Sequence, residues 1–180
     1  LEFRRVLFWS IRFINSRCEE LFEIPDGDYI EICYPQKKIL KPCKCIDEYH
    51  TKIGNEVFHI CQFAELMESK GAVYMAESKM PNEKAAWRVG RDRILAIQTC
   101  DEGYDYTLFD KDYQDVDGGQ VDNLDITMLE VRKDILESYG LDNQELQVLE
   151  YDDIMEKSAT EFQKAWNLLY KKWKYSYRFH

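Results

Sequence analysis

Residues 87–99 read WRVGRDRILAIQT, and this stretch decides the fold of the second half of the chain. Two runs rich in apolar and β-branched residues, 87–89 and 94–99, flank the turn sequence GRDR at 90–93. Two such runs around a short loop that contains glycine are typical of a β-hairpin. We therefore expect two antiparallel strands here.

The chain continues this pattern after the hairpin. Residues 104–109 and 113–116 again favour strands. Turn sequences precede, separate and follow them at 101–103, 110–112 and 117–119. Turn signals at such short intervals predict an antiparallel meander of three or four strands.

Two helices and a short strand are predicted beyond the meander. Thr127 and Glu130 form a T-x-x-E capping box, which opens a helix over 127–139. Residues 145–150 are weakly strand-like, and Asp152 or Asp153 caps a last helix that runs to about Lys172. Its inward side is expected to hold Ile154, Phe162, Ala165, Trp166 and Leu169.

The first half of the chain predicts a hairpin and a helix. Residues 28–46 contain two strand-type runs around a short turn. A polar loop is expected at 47–55, and apolar residues at helical spacing then predict a helix over 58–70. Residues 72–75 favour a short strand.

These patterns predict the α+β class, with a hairpin–helix module followed by an antiparallel meander and two C-terminal helices. The predicted segments are an N-terminal helical segment at 1–27, the hairpin–helix module at 28–76, a polar linker with one proline at 77–85, and the meander with two helices at 86–180. The helical prediction for the first segment rests on Phe3, Leu7, Ile11 and Ile14, which recur near helical spacing.

Charge is unevenly distributed along the 180 residues, whose formal net charge is −10. Residues 1–17 carry four arginines and one glutamate, and residues 161–180 carry five lysines or arginines and one glutamate. The acidic stretch between them repels phosphate backbones, so this composition argues against general nucleic-acid binding over that surface. It suits a basic protein partner, or it serves solubility alone.

The six cysteines show no spacing typical of a disulfide framework or a zinc knuckle. No secretory leader and no apolar run long enough to span a bilayer is visible. We therefore expect reduced thiols, a cytoplasmic location and no membrane partner.

Residues 101–125 hold nine acidic residues and a single lysine. One interpretation is an acidic surface that docks in a DNA-binding groove, formed by Asp101, Glu102, Asp105, Asp110, Asp112, Asp115, Asp117 and Asp122. Solvated turn tips are the alternative. A calcium loop that begins at Asp110 fails, because Asp115 and Val121 stand where glycine and glutamate are required.

A zinc site is a further hypothesis, with Cys43, Cys45, His59 and Cys61 as its ligands. Buried apolar thiols are the alternative. Catalysis by Cys61 or Cys45 with His50 or His59 lacks a supporting signature. Phosphate-loop, dinucleotide and zinc-protease motifs are also missing from the sequence. We therefore expect a protein that is not an enzyme and has no cofactor.

The basic ends of the chain supply a second candidate surface. Candidate contacts to duplex DNA are Arg4, Arg5, Arg12, Lys171, Lys172 and Lys174. The C-terminal segment is also amphipathic, with aromatic residues between the lysines. It is expected to pack on its neighbour or to form the seam of a homodimer.

Two stretches resemble a known kind of domain. One is 29–74, which includes IDEYH at 46–50 and FHICQFAE at 58–65, and the other is 103–120, which begins GYDYT. Both resemble small domains of the large polyvalent protein-associated kind, carried on conjugative elements, plasmids and phages of gut Firmicutes.

This resemblance implies a counter-defence function. Proteins of such origin include type II-A anti-CRISPR proteins, which block Cas9, and antirestriction proteins. The leading hypothesis is therefore a non-enzymatic inhibitor that binds Cas9 through its acidic surface in a bacterial host cell. The alternatives are a DNA-binding accessory or antirestriction protein of a mobile element, and a small zinc-binding protein.

Overall fold

The computed structural model describes residues 10–77, 83–123 and 125–176. The strands are β1 Ser10–Ile14, β2 Glu20–Pro25, β3 Tyr29–Tyr34, β4 Lys37–Cys45, β5 His50–Ile53, β6 Glu56–His59, β7 Val73–Ala76, β8 Lys84–Val89, β9 Arg93–Cys100, β10 Gly103–Asp110, β11 Asp115–Val121 and β12 Leu146–Leu149. The helices are α1 Gln62–Ser69, α2 Met128–Ser138 and α3 Tyr151–Ser176. More of these residues lie in strands than in helices, in keeping with the predicted α+β class.

The chain divides into two compact units. The first takes in Leu1–Met80 and Leu136–Gln147, and the second takes in Pro81–Ile135 and Val148–His180. The segment boundaries that we predict at 27, 76 and 85 remain predictions.

The hairpin predicted at 28–46 is confirmed in the first unit. β3 and β4 pair antiparallel, from Tyr29 opposite Pro42 to Tyr34 opposite Lys37. β7 pairs with the other edge of β3, which confirms the short strand predicted near 72–75. The first two residues of β12 pair with β4.

The helical prediction for 1–27 is wrong over the residues that the structure describes. β1 and β2 form an antiparallel hairpin instead, while residues 1–9 lie outside the described part. The side chains of Ile11 and Phe13 are buried and that of Arg12, between them, is exposed. Burial with a period of two residues is the pattern of a strand with one face on the core.

The loop predicted at 47–55 is wrong for residues 50–53, which form β5 and pair with β4 on one side and with β6 on the other. Gly54, whose φ is +61°, turns the chain between β5 and β6. The helix predicted at 58–70 begins later, at Gln62, because the residues before it belong to β6. Gly71 follows the helix with a φ of +63°, as expected for a C′ glycine.

The core of the first unit gathers apolar side chains from β1 to β5 and from α1. Its buried members are Ile11, Phe13, Ile24, Ile30, Ile32, Cys43, Ile53, Phe63, Met67 and Ala72. The Phe13 ring lies 4.8 Å from that of Phe22 and 5.2 Å from that of Phe63, measured between centroids. These aromatic contacts join the β1–β2 hairpin to α1.

The predicted meander is confirmed in the second unit, where the strand order is β11-β10-β9-β8. β8 begins at Lys84, so the last two residues of the predicted linker at 77–85 are strand, and 78–82 lie outside the described residues. The turn predicted at 117–119 is wrong, because these residues lie within β11. A Cβ on Gly119 would lie 3.1 Å from the Tyr106 ring, so this glycine makes room for a cross-strand aromatic side chain.

The two faces of this sheet are covered by different helices. Ile94, Ala96 and Phe109 face the beginning of α3, where Ile154 is buried against them. Trp87 points to the opposite face, and the Arg132 guanidinium of α2 lies over its ring. The sheet is therefore apolar on both faces, which explains the nearly continuous apolar run at 94–97.

The capping box predicted for α2 is confirmed. The Glu130 carboxylate accepts the backbone N–H of Thr127 at 2.7 Å, and the Thr127 hydroxyl accepts the N–H of Glu130 at 3.3 Å. These two bonds satisfy backbone donors that would otherwise lack partners at the start of the helix.

α3 confirms the last predicted helix but not its predicted packing. Ile154 is buried as expected. Phe162, Trp166 and Leu169 are exposed by 67%, 58% and 62%, and Ala165 is exposed as well. Only the first turns of α3 reach the core, because every described side chain from 162 to 174 is exposed. No described helix is both long enough and apolar enough to cross a membrane.

Candidate functional site

The predicted acidic residues lie on β10, on β11 and in the turns beside them. Asp115 and Asp117 are exposed on β11, which pairs with β10 alone among the described strands and forms an edge of the sheet. All of β11 except Val121 is exposed. We use the name acidic edge for β11 together with the acidic residues of the turns at both ends of β10.

A β-bulge separates the two carboxylates of β11. Leu108 lies opposite Asp117, and the next residue, Phe109, lies opposite Asp115, so Val116 is the extra residue. Leu108 and Phe109 are neighbours on β10, so their side chains point to opposite faces of the sheet, and the residues opposite them do the same. Asp115 is therefore on the face covered by α3 and Asp117 on the face covered by α2, although residues two apart share a face in a regular strand.

All of the remaining acids except Asp105 lie near the two ends of β10. Asp101 and Glu102 form the turn before β10, next to Asp122 beyond β11, while Asp110 and Asp112 form the turn at the other end. The eight residues of β10 extend over about 25 Å at ~3.3 Å per residue. The structure therefore brings the predicted acids together as a strip rather than as a single cluster.

Some of these carboxylates accept hydrogen bonds from nearby backbone N–H groups. Asp110 accepts the backbone N–H groups of Asp112 and Gln114 at 2.8 and 3.0 Å. Asp117 accepts the N–H of Gly118 at 2.8 Å. Asp110, whose side chain is half-buried, therefore has a structural role in this turn.

Asp105 faces α3 from the middle of β10. It lies opposite Gln98, whose amide oxygen accepts the Tyr151 hydroxyl at 2.9 Å. Burial raises the pKa of Tyr151; the Lys84 cation opposes this shift, while the Asp105 charge adds to it. Asp105 therefore acts within the contact between α3 and the sheet, and it contributes less to the exposed strip than Asp115 does.

The structure does not bring the four predicted zinc ligands together. Cys43 is fully buried, which raises its pKa to about 12, and Cys45 points to the same core face as Cys43. His59 lies opposite His50 on the other face of the β5–β6 hairpin, and its Nδ1 is 2.8 Å from Cys61 Sγ. Strand alternation separates the two cysteines of β4 from His59, so these four side chains do not converge as a tetrahedral zinc site requires.

More generally, the described residues contain no group of three or more His, Cys, Asp or Glu side chains that could hold a metal ion. The acidic residues at 101–123 form no such group either. Their carboxylates lie along a strand, at its two ends and on both of its faces, and a cation site needs them to converge.

The predicted DNA contacts fall in different places. Arg4 and Arg5 lie outside the described residues. Arg12 is in β1 of the first unit, with its Nε 3.8 Å from a Glu23 carboxylate oxygen. Lys171, Lys172 and Lys174 are exposed on the second half of α3, in the second unit.

The sequence patterns did not predict one buried cationic contact of α2. Arg132 is 2% exposed, and its guanidinium lies 4.9 Å from the centroid of the Trp87 ring. The sequence signal was its place in the helix, between Val131 and Ile135 on the apolar side. The contact holds α2 on the sheet that carries the acidic edge.

Residues 80–161 match the family model described as large polyvalent protein-associated domain 16. The match includes the second resembling stretch, 103–120, with the whole acidic edge, and it leaves out the first stretch, 29–74. The resemblance is therefore confirmed for the second stretch, 103–120, which lies within residues 80–161. Searches of curated proteins and of solved structures find no match to the chain.

Proposed function

We propose that this chain is a counter-defence protein of a mobile element that acts without catalysis, in the cytoplasm of a bacterial host. It inhibits a CRISPR nuclease, Cas9, by placing the acidic edge in the basic channel that otherwise holds nucleic acid. The observation that carries the proposal is the exposure of Asp115 and Asp117 on an edge strand. The match of residues 80–161 to a large polyvalent protein-associated domain supports the mobile-element context.

The dimensions of the acidic edge suit a groove built for a phosphate backbone. Its carboxylates extend over about 25 Å, the rise of roughly seven nucleotides at ~3.4 Å per strand position. The turns at its two ends add charge beyond the strand itself. Carboxylates along such a strip can pair with the lysines and arginines that a nuclease directs at phosphates.

The contact is expected to be electrostatic and not an added β-strand. A sheet edge offers unpaired backbone groups that a partner strand can join. The bulge at Val116 and the charges of Asp115 and Asp117 both oppose such pairing. Side-chain contacts with a basic surface remain the favoured mode, and they carry a salt dependence that strand addition lacks.

We propose that the protein is not an enzyme. Among the described residues, Cys61 Sγ and His59 Nδ1 lie 2.8 Å apart, as in a nucleophilic pair. The nearby carboxylate of Asp47 binds His50 Nδ1 at 2.9 Å, not His59. A catalytic imidazole is usually oriented by its own third group, so this arrangement favours a structural contact.

A cleavage assay with purified Cas9, guide RNA and target duplex tests the proposal. The chain should block cleavage, and the D115N/D117N variant should need at least about tenfold more protein, as expected when rim charges are removed. Asn keeps the oxygen that accepts the Gly118 N–H, so the fold of β11 is retained.

The matched control is D134N/E137Q, which removes two exposed carboxylates from α2. It changes the net charge by the same amount and should inhibit like the unmodified chain. Full cleavage at every concentration of the chain would refute the proposed function. Equal loss of inhibition in both variants would assign the effect to net charge and not to the acidic edge.

A DNA-binding accessory function is the second candidate, and the exposure of Lys171, Lys172 and Lys174 on α3 favours it. Gel shifts with duplex DNA alone test it. Binding that weakens steeply between 50 and 200 mM salt, about 40-fold for three phosphate contacts, would support this function. The K171E/K172E/K174E variant should then fail to shift DNA.

A further inference from the structure

The exposed side of α3 carries a regular apolar row. Its members are Met155, Ala159, Phe162, Trp166, Leu169 and Trp173. They alternate at intervals of four and three residues, the spacing at which two helices pack along a common seam. We use the name seam for these six residues.

The seam is exposed along most of its length. Phe162, Trp166 and Trp173 are exposed by 67%, 58% and 56%. Four residues, Trp166, Leu169, Tyr170 and Trp173, line an apolar depression on the helix surface. Contiguous apolar surface of this kind marks an interaction site, since isolated exposed apolar residues would not form a row.

Charge on α3 is polarised along the helix. Residues 151–161 carry four acidic residues and one lysine, whereas 162–176 carry four lysines and no acidic residue. Two copies packed parallel would place lysines beside lysines. Two copies packed antiparallel would place the acidic half of each beside the basic half of the other.

We infer that the chain forms a homodimer in which α3 packs antiparallel against α3 of a second copy. With the two-fold axis beside Lys164, Met155 lies level with Trp173 of the second copy, Ala159 with Leu169, and Phe162 with Trp166. All six seam residues are then paired, and the small Ala159 lies against a larger leucine. This inference is independent of the proposed function.

The area available reaches the lower limit for a specific dimer. Large aromatic side chains bury about 150–250 Å² each, so the seam and its flanks in two copies can remove on the order of 1,000 Å² from water. This is the lower end of the range for specific interfaces. A second copy matches the seam in both spacing and charge, which a generic apolar partner would not do.

Sedimentation equilibrium of the 180-residue chain tests the inference, with an expected mass of twice 21.5 kDa. L169E places a carboxylate in the seam of both copies and should raise the dimer Kd at least about 100-fold. The matched control is L168E. Leu168 is the neighbouring leucine with the same 62% exposure, and it lies off the seam. That variant should remain a dimer.

The salt dependence of the dimer Kd distinguishes the antiparallel from the parallel orientation. The Kd of an antiparallel dimer should rise between 50 and 500 mM NaCl, while that of a parallel dimer should fall. The K171E/K172E/K174E variant should weaken the antiparallel dimer at low salt. A monomer at 100 μM, equal effects of L169E and L168E, or a dimer that salt strengthens would each overturn the inference.

Discussion

The Arg132 guanidinium of α2 lies over the indole ring of Trp87 in β8, with 4.9 Å between the guanidinium carbon and the ring centroid. Both side chains are almost fully buried. A cation–π contact without water between the groups is stronger than an exposed one. This pair therefore joins α2 to the sheet that presents the acidic edge.

Replacement of Arg132 by lysine should lower the free energy of unfolding by about 1–2 kcal/mol, because an ammonium keeps the charge but not the planar stacking. Urea titration followed by far-UV circular dichroism measures the change. R91K, at an exposed position, should alter stability by less than about 0.5 kcal/mol. Equal stability of R132K and the unmodified chain would show that the stacked geometry contributes nothing.

The capping box of α2 should be measurable in the same assay. T127A removes the hydroxyl that accepts the Glu130 N–H and should cost about 1 kcal/mol. T160A is the matched control, since the Thr160 hydroxyl donates to the Glu156 carbonyl within α3 and caps nothing. A larger loss in T160A than in T127A would contradict the assignment.

Gly103 should tolerate no side chain. A Cβ there would lie 1.9 Å from the Val121 carbonyl oxygen and 2.8 Å from the Asn123 nitrogen, both backbone atoms. G103A should therefore cost more than about 3 kcal/mol and separate the ends of β10 and β11. G140A, with open space around it but a φ of +66°, should cost only about 1 kcal/mol. Comparable losses in the two variants would argue against this close approach.

The buried thiol of Cys43 should make the free energy of unfolding depend on pH above pH 9. Burial raises its pKa from 9.0 to about 12 in the folded chain. Below pH 9 the thiol is protonated in both states, and between pH 9 and 12 only the unfolded state loses the proton. The free energy of unfolding should thus fall by up to about 1.4 kcal/mol per pH unit there.

Unfolding curves of C43A and of the unmodified chain, recorded from pH 8 to 11, isolate this contribution. C43A should show the flatter pH dependence, while C18A, at an exposed position, should follow the unmodified chain. Parallel curves for C43A and the unmodified chain would assign the alkaline loss to other groups.

Local patterns predicted the elements whose signals lie within a few residues. The capping box of Thr127 and Glu130 and the glycine at 71 each act on their own helix end, so sequence alone locates them. The hairpin at 28–46 and the meander follow from turn spacing in the same way.

The wrong predictions fall where interactions between residues distant in sequence determine the structure. Ile11 and Ile14 fit a helix by spacing, but pairing of β1 with β2 and contact of Phe13 with Phe63 favour a strand. Gly118 and Gly119 have turn composition, yet they lie in β11 because Tyr106 requires space beside them. A local sequence pattern does not show that a side chain on the neighbouring strand needs this space.

The candidate site shows the same division. Composition favoured an exposed acidic surface at 101–122, but it did not show that Asp105 and Asp110 are half-buried. The bulge that directs Asp115 and Asp117 to opposite faces depends on pairing with β10. The apolar row of α3 was visible as periodicity. That its second half lies outside the core could not be predicted, because an amphipathic helix and a dimer seam share one pattern.

The exposure of the second half of α3 has a consequence for the lifetimes of its backbone hydrogen bonds. A helical segment of this length that gains little stability from buried side chains is only marginally stable in water. Amide hydrogens at 155–160 should therefore exchange with deuterium far more slowly than those at 168–174 in dilute solution, where the seam is uncovered. As concentration rises and a second copy covers the seam, protection should extend toward the C-terminal end of the helix. The exchange profile along this one helix would then report the assembly state of the protein.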